Sequence, residues 1–182
     1  GFEVTATELA LELRLAGIGF KISIDRIDQT EQGALLLDYK TGQASVNDLL
    51  AEPIGAPQLA VYLHGVDAPI AGLGYGLLSS DKGVNWNLIS EQPGLVVKTG
   101  KTWDKISEKG DWQDVPWPDF IDFLKQQVEQ LAQALAQGDA SMRFTKEQDL
   151  AYSPSLLALR LPEVRAQFAT AFDDEAMDLE DN

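Results

Sequence analysis

Residues 20–42 read FKISIDRIDQTEQGALLLDYKTG, and they decide the fold. From Phe20 to Asp25 apolar and polar residues alternate, as they do in a half-buried strand. The unbroken run Leu35-Leu36-Leu37 is typical of a central strand that is covered on both faces. Because the residues from Gln29 to Gly33 are mostly polar, the stretch predicts a hairpin whose second strand, Ala34 to Tyr39, lies inside a sheet.

The sequence on either side adds strands and helices to this hairpin. Leucines alternate with other residues between Glu8 and Leu15, which predicts a preceding strand. Further strands are predicted at residues 70–79 and 84–89, joined across Asp81-Lys82-Gly83, and at Leu95 to Lys98. Helices are predicted after Ser45, from Pro57 to His64, from Pro118 to Gly138 and after Pro154. Residues 100–116 resemble a polar loop. This order predicts an α/β fold with a mixed sheet flanked by helices.

Composition limits the chemistry that the chain can perform. Of its 182 residues 45% are hydrophobic, none is cysteine and one is histidine, and the formal net charge is −15. The absence of cysteine excludes disulfides, thiol nucleophiles and iron–sulfur ligation, and a single histidine excludes a multi-histidine metal site within the chain. The acidic balance by itself argues against nucleic-acid binding, which usually accompanies a basic excess.

The length predicts one domain. We expect it to span residues 1–172, followed by an acidic, disordered tail at 173–182 in which six residues are Asp or Glu. No apolar run approaches the ~20 residues of a membrane helix, and the first residues do not form a signal peptide. A cytoplasmic location without a membrane partner is therefore expected.

Asp25, Asp38 and Lys40 form the candidate chemical centre. Asp38 and Lys40 are two residues apart on the central strand, so their side chains leave the same face. A hairpin that turns at Glu31 and Gln32 places Asp25 opposite Asp38, whereas a shift of one residue turns Asp25 to the other face. Two opposed carboxylates repel each other unless a cation lies between them, which predicts a Mg²⁺ site. The alternative is a surface cluster of ordinary ion pairs.

Gln58 and Tyr62 lie one turn apart on one face of a predicted helix. Both side chains can hydrogen-bond a phosphate group or orient a catalytic side chain, although the polar edge of any helix has the same pattern. Beside a Mg²⁺ ion that makes a bound water more acidic, Lys40 would orient that water toward a phosphate group.

Taken together, these residues resemble the RecB/AddB branch of the PD-(D/E)XK nuclease superfamily. The resemblance rests, in chain order, on Ile24-Asp25-Arg26-Ile27-Asp28, on Asp38-Tyr39-Lys40-Thr41-Gly42, and on Gln58-Leu59 with Tyr62. It implies a restriction-endonuclease-like fold and a Mg²⁺-dependent deoxyribonuclease, in which Mn²⁺ can replace Mg²⁺. The implied setting is exonuclease action on single-stranded DNA ends during double-strand-break repair and recombination. The implied partners are a helicase or repair subunit, or upstream domains of a larger parent protein.

The resemblance also implies residue roles. The metal ligands would be Asp25, Asp38 and the backbone carbonyl of Tyr39, Lys40 would be the catalytic lysine, and Gln58 and Tyr62 would support the site and the DNA backbone. Asp28 receives no catalytic role, because it lies three residues after Asp25, where a strand turns it to the other face.

Three departures from the pattern of the branch are visible. Ile22 stands where the first motif usually opens with glycine, and the sequence lacks an upstream helix with a histidine ligand, for which His64 is no counterpart. Leu150, Ser153 and Leu159 stand at the cysteine positions of an iron–sulfur cluster, so no cluster is expected. These departures leave a second hypothesis open, namely an inactive nuclease-fold module that guides DNA or docks a subunit.

Two weaker features each have two interpretations. The first is a set of four tryptophans: Trp86, Trp103, Trp112 and Trp117. They could stack on single-stranded bases, but an anchoring role in the core and loops is favoured. The second is a set of four lysines: Lys98, Lys101, Lys105 and Lys109. They either contact the phosphate backbone of DNA or belong to a solvated loop.

Overall fold

Six strands form one mixed sheet in the order β1-β2-β3-β4-β5-β6. A computed structural model describes residues 1–52, 54–79, 83–95 and 100–139. The strands are β1 (Phe2–Leu15), β2 (Ile18–Thr30), β3 (Gly33–Lys40), β4 (Ile70–Ser79), β5 (Gly83–Ser90) and β6 (Lys101–Thr102). Strands β3 and β4 pair in parallel, as do β5 and β6, and the other neighbours are antiparallel. The predicted mixed α/β sheet is therefore confirmed.

Few helices accompany the sheet in the described residues. They are α1 (Gln58–Tyr62), α2 (Trp103–Ile106) and α3 (Trp117–Ala136), with 3₁₀ turns at Val46–Leu49, Leu63–Gly65 and Gly110–Trp112. The predicted long helix is α3, which has a proline in its first turn and ends before Gly138, whose φ is 74°. None of these helices combines the length and the apolar character needed to cross a membrane.

Strand β3 occupies the middle of the sheet, between β2 and β4. Leu35, Leu36 and Leu37 are each at most 2% exposed, so both faces of the strand are covered, as the leucine run predicts. Leu36 belongs to the hydrophobic core that also contains Phe120 and Leu124 of α3. The carboxyl end of this buried strand carries Asp38 and Lys40.

Strand β4 gives the sheet two different faces, because glycines alternate along it with large residues. The glycines are register partners of β3 residues on one face: Gly72 of Leu35, Gly74 of Leu37 and Gly76 of Tyr39. A Cβ atom on Gly74 would lie 2.3 Å from the Cβ of Leu88, so this position has no room for a side chain. On the other face, Leu36 pairs with Leu73 and Asp38 with Tyr75.

The tryptophans of the described segment 100–139 pack inside the protein. Trp103 and Trp117 are each 4% exposed, and the Trp103 ring stacks on Phe120 with 4.4 Å between centroids. Trp112 donates its indole hydrogen to the Leu50 carbonyl at 3.1 Å. These contacts agree with the anchoring interpretation, and they explain why residues 100–116 contain β6, α2 and a 3₁₀ turn rather than the predicted polar loop.

Strand β1 begins at Phe2, earlier than the predicted start at Glu8, because β2 continues to Thr30 and supplies partners for the additional residues. The strand predicted from Leu95 to Lys98 falls almost wholly outside the described residues. The helix after Pro154, the domain end at residue 172 and the tail at 173–182 also lie outside them. The chain divides into two compact units, 1–141 and 142–182, and every described residue belongs to the first.

Candidate active site

The β2–β3 hairpin brings Asp25 to the carboxyl end of β3. Its five residue pairs run from Thr30↔Gly33 to Arg26↔Leu37 and follow the predicted register. The ladder stops there, and Asp25 Oδ2 accepts a hydrogen bond from the Tyr39 amide at 2.8 Å. The Asp25 carboxylate thus takes up a backbone donor of β3 where the two strands separate, next to Asp38.

Strand β2 is irregular at Asp25, which strict alternation does not predict. Ile24 and Ile27 both belong to the core, although residues three apart in a regular strand face opposite ways. On β1, Glu8 lies between the partners of Arg26 and Ile24 and has a φ of 49°, an uncommon value for a residue with a side chain. This distortion interrupts the ladder at Asp25 and leaves its carboxylate beside the Tyr39 amide.

Four side chains form a closed ring beside Asp25. Lys40 Nζ lies 2.8 Å from Asp38 Oδ2 and donates a short hydrogen bond to Gln58 Oε1. Gln58 Nε2 donates to the Tyr62 hydroxyl at 2.7 Å, and that hydroxyl donates to Asp38 Oδ1 at 3.1 Å. The structure therefore brings together all five residues that the sequence analysis proposed as catalytic.

Helix α1 supplies two members of the ring because of its packing. Its buried Leu59 and Ala60 are both 0% exposed and hold the helix against the core. Gln58 and Tyr62, which are four residues apart, then face Lys40 and Asp38 from one side of the helix. The helix begins after Pro57, as the sequence predicts, and continues as a 3₁₀ turn to Gly65.

The electrostatics of the ring keep Tyr62 protonated. Burial raises the pKa of Tyr62 above its ordinary value, and the negative charges of Asp38 and Asp25 raise that pKa further. The hydroxyl therefore remains a hydrogen-bond donor to Asp38 at neutral pH. Both carboxylates therefore act on the same phenol.

The oxygens of this site suit a hard divalent cation. Asp38 is 1% exposed, and its Oδ2 has no partner in hydrogen-bond geometry, although Lys40 Nζ lies close by as an ion pair. Asp25, Asp38 and the Tyr39 carbonyl present oxygen atoms, the donor type that Mg²⁺ and Mn²⁺ prefer. Within the described ranges no three His, Cys, Asp or Glu side chains converge.

Asp28 lies on the opposite face of the sheet. Its carboxylate accepts two hydrogen bonds from Arg26, at 2.6 and 2.8 Å, and it is 3% exposed. These hydrogen bonds, opposed in part by burial, raise the pKa of Arg26 above its ordinary value. The pair lines a cavity of about 460 Å³ together with Leu35 and Leu37, which point away from Asp38 along β3.

Tyr39 links the two faces. Its amide binds Asp25, while its hydroxyl accepts a hydrogen bond from Arg26 at 3.2 Å and its ring lies 6.0 Å from that of Trp86. His64 lies in the 3₁₀ turn after α1, with Nε2 3.3 Å from the Lys125 carbonyl oxygen, as an ordinary packing residue would.

Tyr75 is the residue near the site that sequence reasoning missed. It is 1% exposed and is the register partner of Asp38 on β4. The alternation of Gly72, Gly74 and Gly76 with larger residues indicates which face Tyr75 takes. The parallel pairing that brings it to Asp38 depends on the crossover from β3 to β4, and no sequence pattern reports that pairing.

Comparison with known proteins adds the family. Neither the curated proteins nor the solved structures searched contain a match. The family model of the PD-(D/E)XK nuclease superfamily matches residues 1–148, which include the hairpin, the ring and α1. With the mixed sheet, the paired aspartates and the lysine two residues after Asp38, this match shows that the chain belongs to the PD-(D/E)XK nuclease superfamily.

Proposed function

We propose that this chain is a metal-dependent deoxyribonuclease of the RecB/AddB type, which hydrolyses phosphodiester bonds. The observation that carries the proposal is the ring of Asp38, Lys40, Gln58 and Tyr62 with Asp25 beside it, in a chain of this superfamily. A pair of carboxylates that can bind a metal ion, with an ammonium group next to it, suits metal-assisted attack of water on a phosphate group.

Asp25, Asp38 and the Tyr39 carbonyl would hold a Mg²⁺ or Mn²⁺ ion. The buried Asp38 Oδ2, which pairs with the Lys40 ammonium but has no partner in hydrogen-bond geometry among the described residues, supports this assignment. When bound, the ion would supply a positive charge for a phosphate oxygen and would make a coordinated water more acidic. In the structure, Lys40 provides the positive charge next to Asp38.

Lys40 would act on the attacking water and on the developing negative charge of the phosphate. Gln58 Oε1 already accepts a hydrogen bond from Nζ, so Gln58 can keep the ammonium in place when Asp38 shares its charge with a cation. Tyr62 fixes the other oxygen of Asp38 through its hydroxyl. Each member of the ring therefore has one task.

The finer parts of the proposal rest on the motif resemblance. We propose from it that the chain acts as an exonuclease on single-stranded DNA ends during double-strand-break repair. Its proposed partner is a helicase or repair subunit. The net charge of −15 supports dependence on such a partner, because an acidic chain by itself attracts DNA weakly.

The test is cleavage of end-labelled single-stranded DNA with Mn²⁺ or Mg²⁺. We expect Asp38→Asn and Lys40→Ala each to reduce the rate by about 10²–10⁴-fold. Lys21→Ala is the matched control, because the Lys21 side chain is 87% exposed and pairs only loosely with Glu12 at 3.5 Å. Cleavage that survives both site substitutions would refute the proposal.

A second candidate function is an inactive nuclease-fold module that guides DNA or docks a subunit. The observation that favours it is the direct Lys40–Asp38 ion pair, in which the ammonium group neutralises the central carboxylate in place of a metal ion. Titration with Mn²⁺ distinguishes the candidates. Saturable binding that Asp38→Asn abolishes supports the nuclease, and its absence supports the inactive module.

A further inference from the structure

Tyr75 occupies a central position next to the candidate site. On β4 it is the register partner of Asp38 on β3 and of Asn87 on β5, so these three residues form a row across the sheet. Neighbouring register partners share a face, and their side chains are close. Tyr75 is 1% exposed and belongs to the hydrophobic core.

The hydroxyl of Tyr75 is buried and has no hydrogen-bond partner among the residues that the structure describes. The other two tyrosines that the structure describes differ from it, because Tyr39 is bonded to Arg26 and Tyr62 to Gln58 and Asp38. An unsatisfied buried hydroxyl costs about 1–3 kcal/mol, and a phenylalanine would fill nearly the same space without that cost. The folded chain alone therefore does not account for a tyrosine here.

The neighbouring strand β3 carries a second buried polar atom that lacks a hydrogen bond among the described residues. Asp38 Oδ2 is also buried, and its contact with Lys40 Nζ at 2.8 Å is an ion pair without hydrogen-bond geometry. Burial raises the pKa of Tyr75 to about 12, with smaller contributions from the charges of Asp38 and Asp48. The phenol therefore keeps its proton at neutral pH and is a donor without an acceptor among the described residues, one strand away from the buried Asp38 carboxylate.

We propose that Tyr75 is a positioning residue for Asp38: its hydroxyl hydrogen-bonds the Asp38 carboxylate, directly or through one water, in the cation-bound protein and thereby strengthens cation binding. This inference rests on the proposed function. Carboxylates that hold metal ions are generally held in turn by hydrogen-bond donors, and loss of such a donor weakens metal affinity by about 10–100-fold.

The test compares Tyr75→Phe with Tyr62→Phe in two measurements. Thermal unfolding in EDTA reports the cation-free protein, where Tyr75→Phe is expected to leave the melting temperature unchanged or raise it. Tyr62→Phe is expected to lower it, because its hydroxyl makes two hydrogen bonds within the chain. A Mn²⁺ titration reports the bound state, where Tyr75→Phe is expected to raise the dissociation constant about tenfold or more.

Cleavage gives an independent signature of positioning. In Tyr75→Phe the Mn²⁺ concentration for half-maximal cleavage should rise, whereas the rate at saturating Mn²⁺ should stay near that of the unsubstituted protein. An unchanged Mn²⁺ dissociation constant, or a lower melting temperature in EDTA, overturns the inference while leaving the nuclease proposal intact. If the unsubstituted protein binds no Mn²⁺, the proposed function fails and the inference fails with it.

Discussion

Asp25 and Asp28 show how three residues of separation along one strand can produce two different carboxylates. Asp25 accepts one backbone hydrogen bond and lies beside Asp38, whereas Asp28 is enclosed in a bidentate ion pair with Arg26 on the other face. The first is a ligand of the proposed cation site, and the second is held in an ion pair that stabilises the fold. The surroundings of the two aspartates, rather than their residue type, therefore distinguish the proposed functional role of Asp25 from the structural role of Asp28.

Substitution of these two aspartates should separate the two roles. Asp28→Asn should lower the free energy of unfolding by about 2 kcal/mol, because Arg26 loses its charged partner, but should leave Mn²⁺ binding intact. Asp25→Asn should cost less than about 1 kcal/mol, since an amide oxygen can still accept from Tyr39, but should abolish Mn²⁺ binding. Urea unfolding in EDTA and a Mn²⁺ titration measure the two effects, and the reverse pattern contradicts the assignment.

The buried phenol of Tyr75 should appear in the alkaline stability of the protein. Its pKa is raised from the ordinary 10.0 to about 12 in the folded state, so between these values the unfolded chain releases a proton that the folded chain retains. The free energy of unfolding should therefore fall as pH rises from 10, by about 1.4 kcal/mol per pH unit for this one group.

Tyr75→Phe should reduce that slope by the same amount, because phenylalanine has no proton to lose. Urea unfolding at several pH values between 10 and 12, with EDTA present, measures it. Equal slopes for the two proteins would show that the phenol is not shielded in the folded state. The slope that remains in Tyr75→Phe should include a contribution from Tyr62, whose pKa is also raised.

At the scale of elements, the alternating glycines of β4 determine how closely the central strands fit together. A Cβ atom on Gly74 would meet the backbone oxygen of Asn87 at 2.5 Å as well as the side chain of Leu88. Backbone atoms in a sheet cannot retreat without breaking ladder bonds. The glycines are therefore a packing requirement of the face that lies opposite the candidate site.

Gly74→Ala should lower the free energy of unfolding by about 3 kcal/mol, the cost of forcing an extra carbon into a filled space. Gly19→Ala on β2 is the matched control, since a Cβ atom there meets no heavy atom within 4 Å. We expect the control to change stability by less than about 0.5 kcal/mol. Urea unfolding of both variants checks the difference, and equal effects would contradict the packing explanation.

Sequence patterns predicted the elements better than their contacts. The leucine run located β3, helical periodicity located α3, and the turn at Glu31 and Gln32 established the β2–β3 register. These features depend on local alternation, which a sequence displays directly. The distortion at Glu8 and the approach of Tyr75 to Asp38 depend on distant pairing, for which no local pattern exists.

At the scale of the whole molecule, charge limits what the chain does alone. Six of the acidic residues lie in the last ten positions, 173–182, which contain no lysine or arginine. Their removal changes the formal net charge from −15 to −9. Since like charges repel DNA over a distance that salt controls, this segment should weaken association at low ionic strength.

A chain that ends at Phe172 should therefore bind single-stranded DNA about tenfold more tightly at low salt. The difference should diminish as salt approaches the physiological range, where the screening length falls to about 8 Å. Fluorescence anisotropy at several salt concentrations measures it. A chain in which the six acids are replaced by Asn and Gln controls for length, and an effect independent of salt would exclude the electrostatic explanation.

The exposed turn at Glu31 and Gln32 is a position at which inserted residues should leave the pairing of β2 with β3 unchanged. An extra residue inside β2 or β3 would shift the pairing and rotate one aspartate out of the site, whereas added residues in the turn leave every pair in place. The insertion has to precede Gly33, where φ is 133° and a Cβ atom would lie 2.4 Å from the Pro69 carbonyl oxygen. An insertion between Glu31 and Gln32 is therefore expected to preserve the β2–β3 register and the hydrogen bond between Asp25 and the Tyr39 amide.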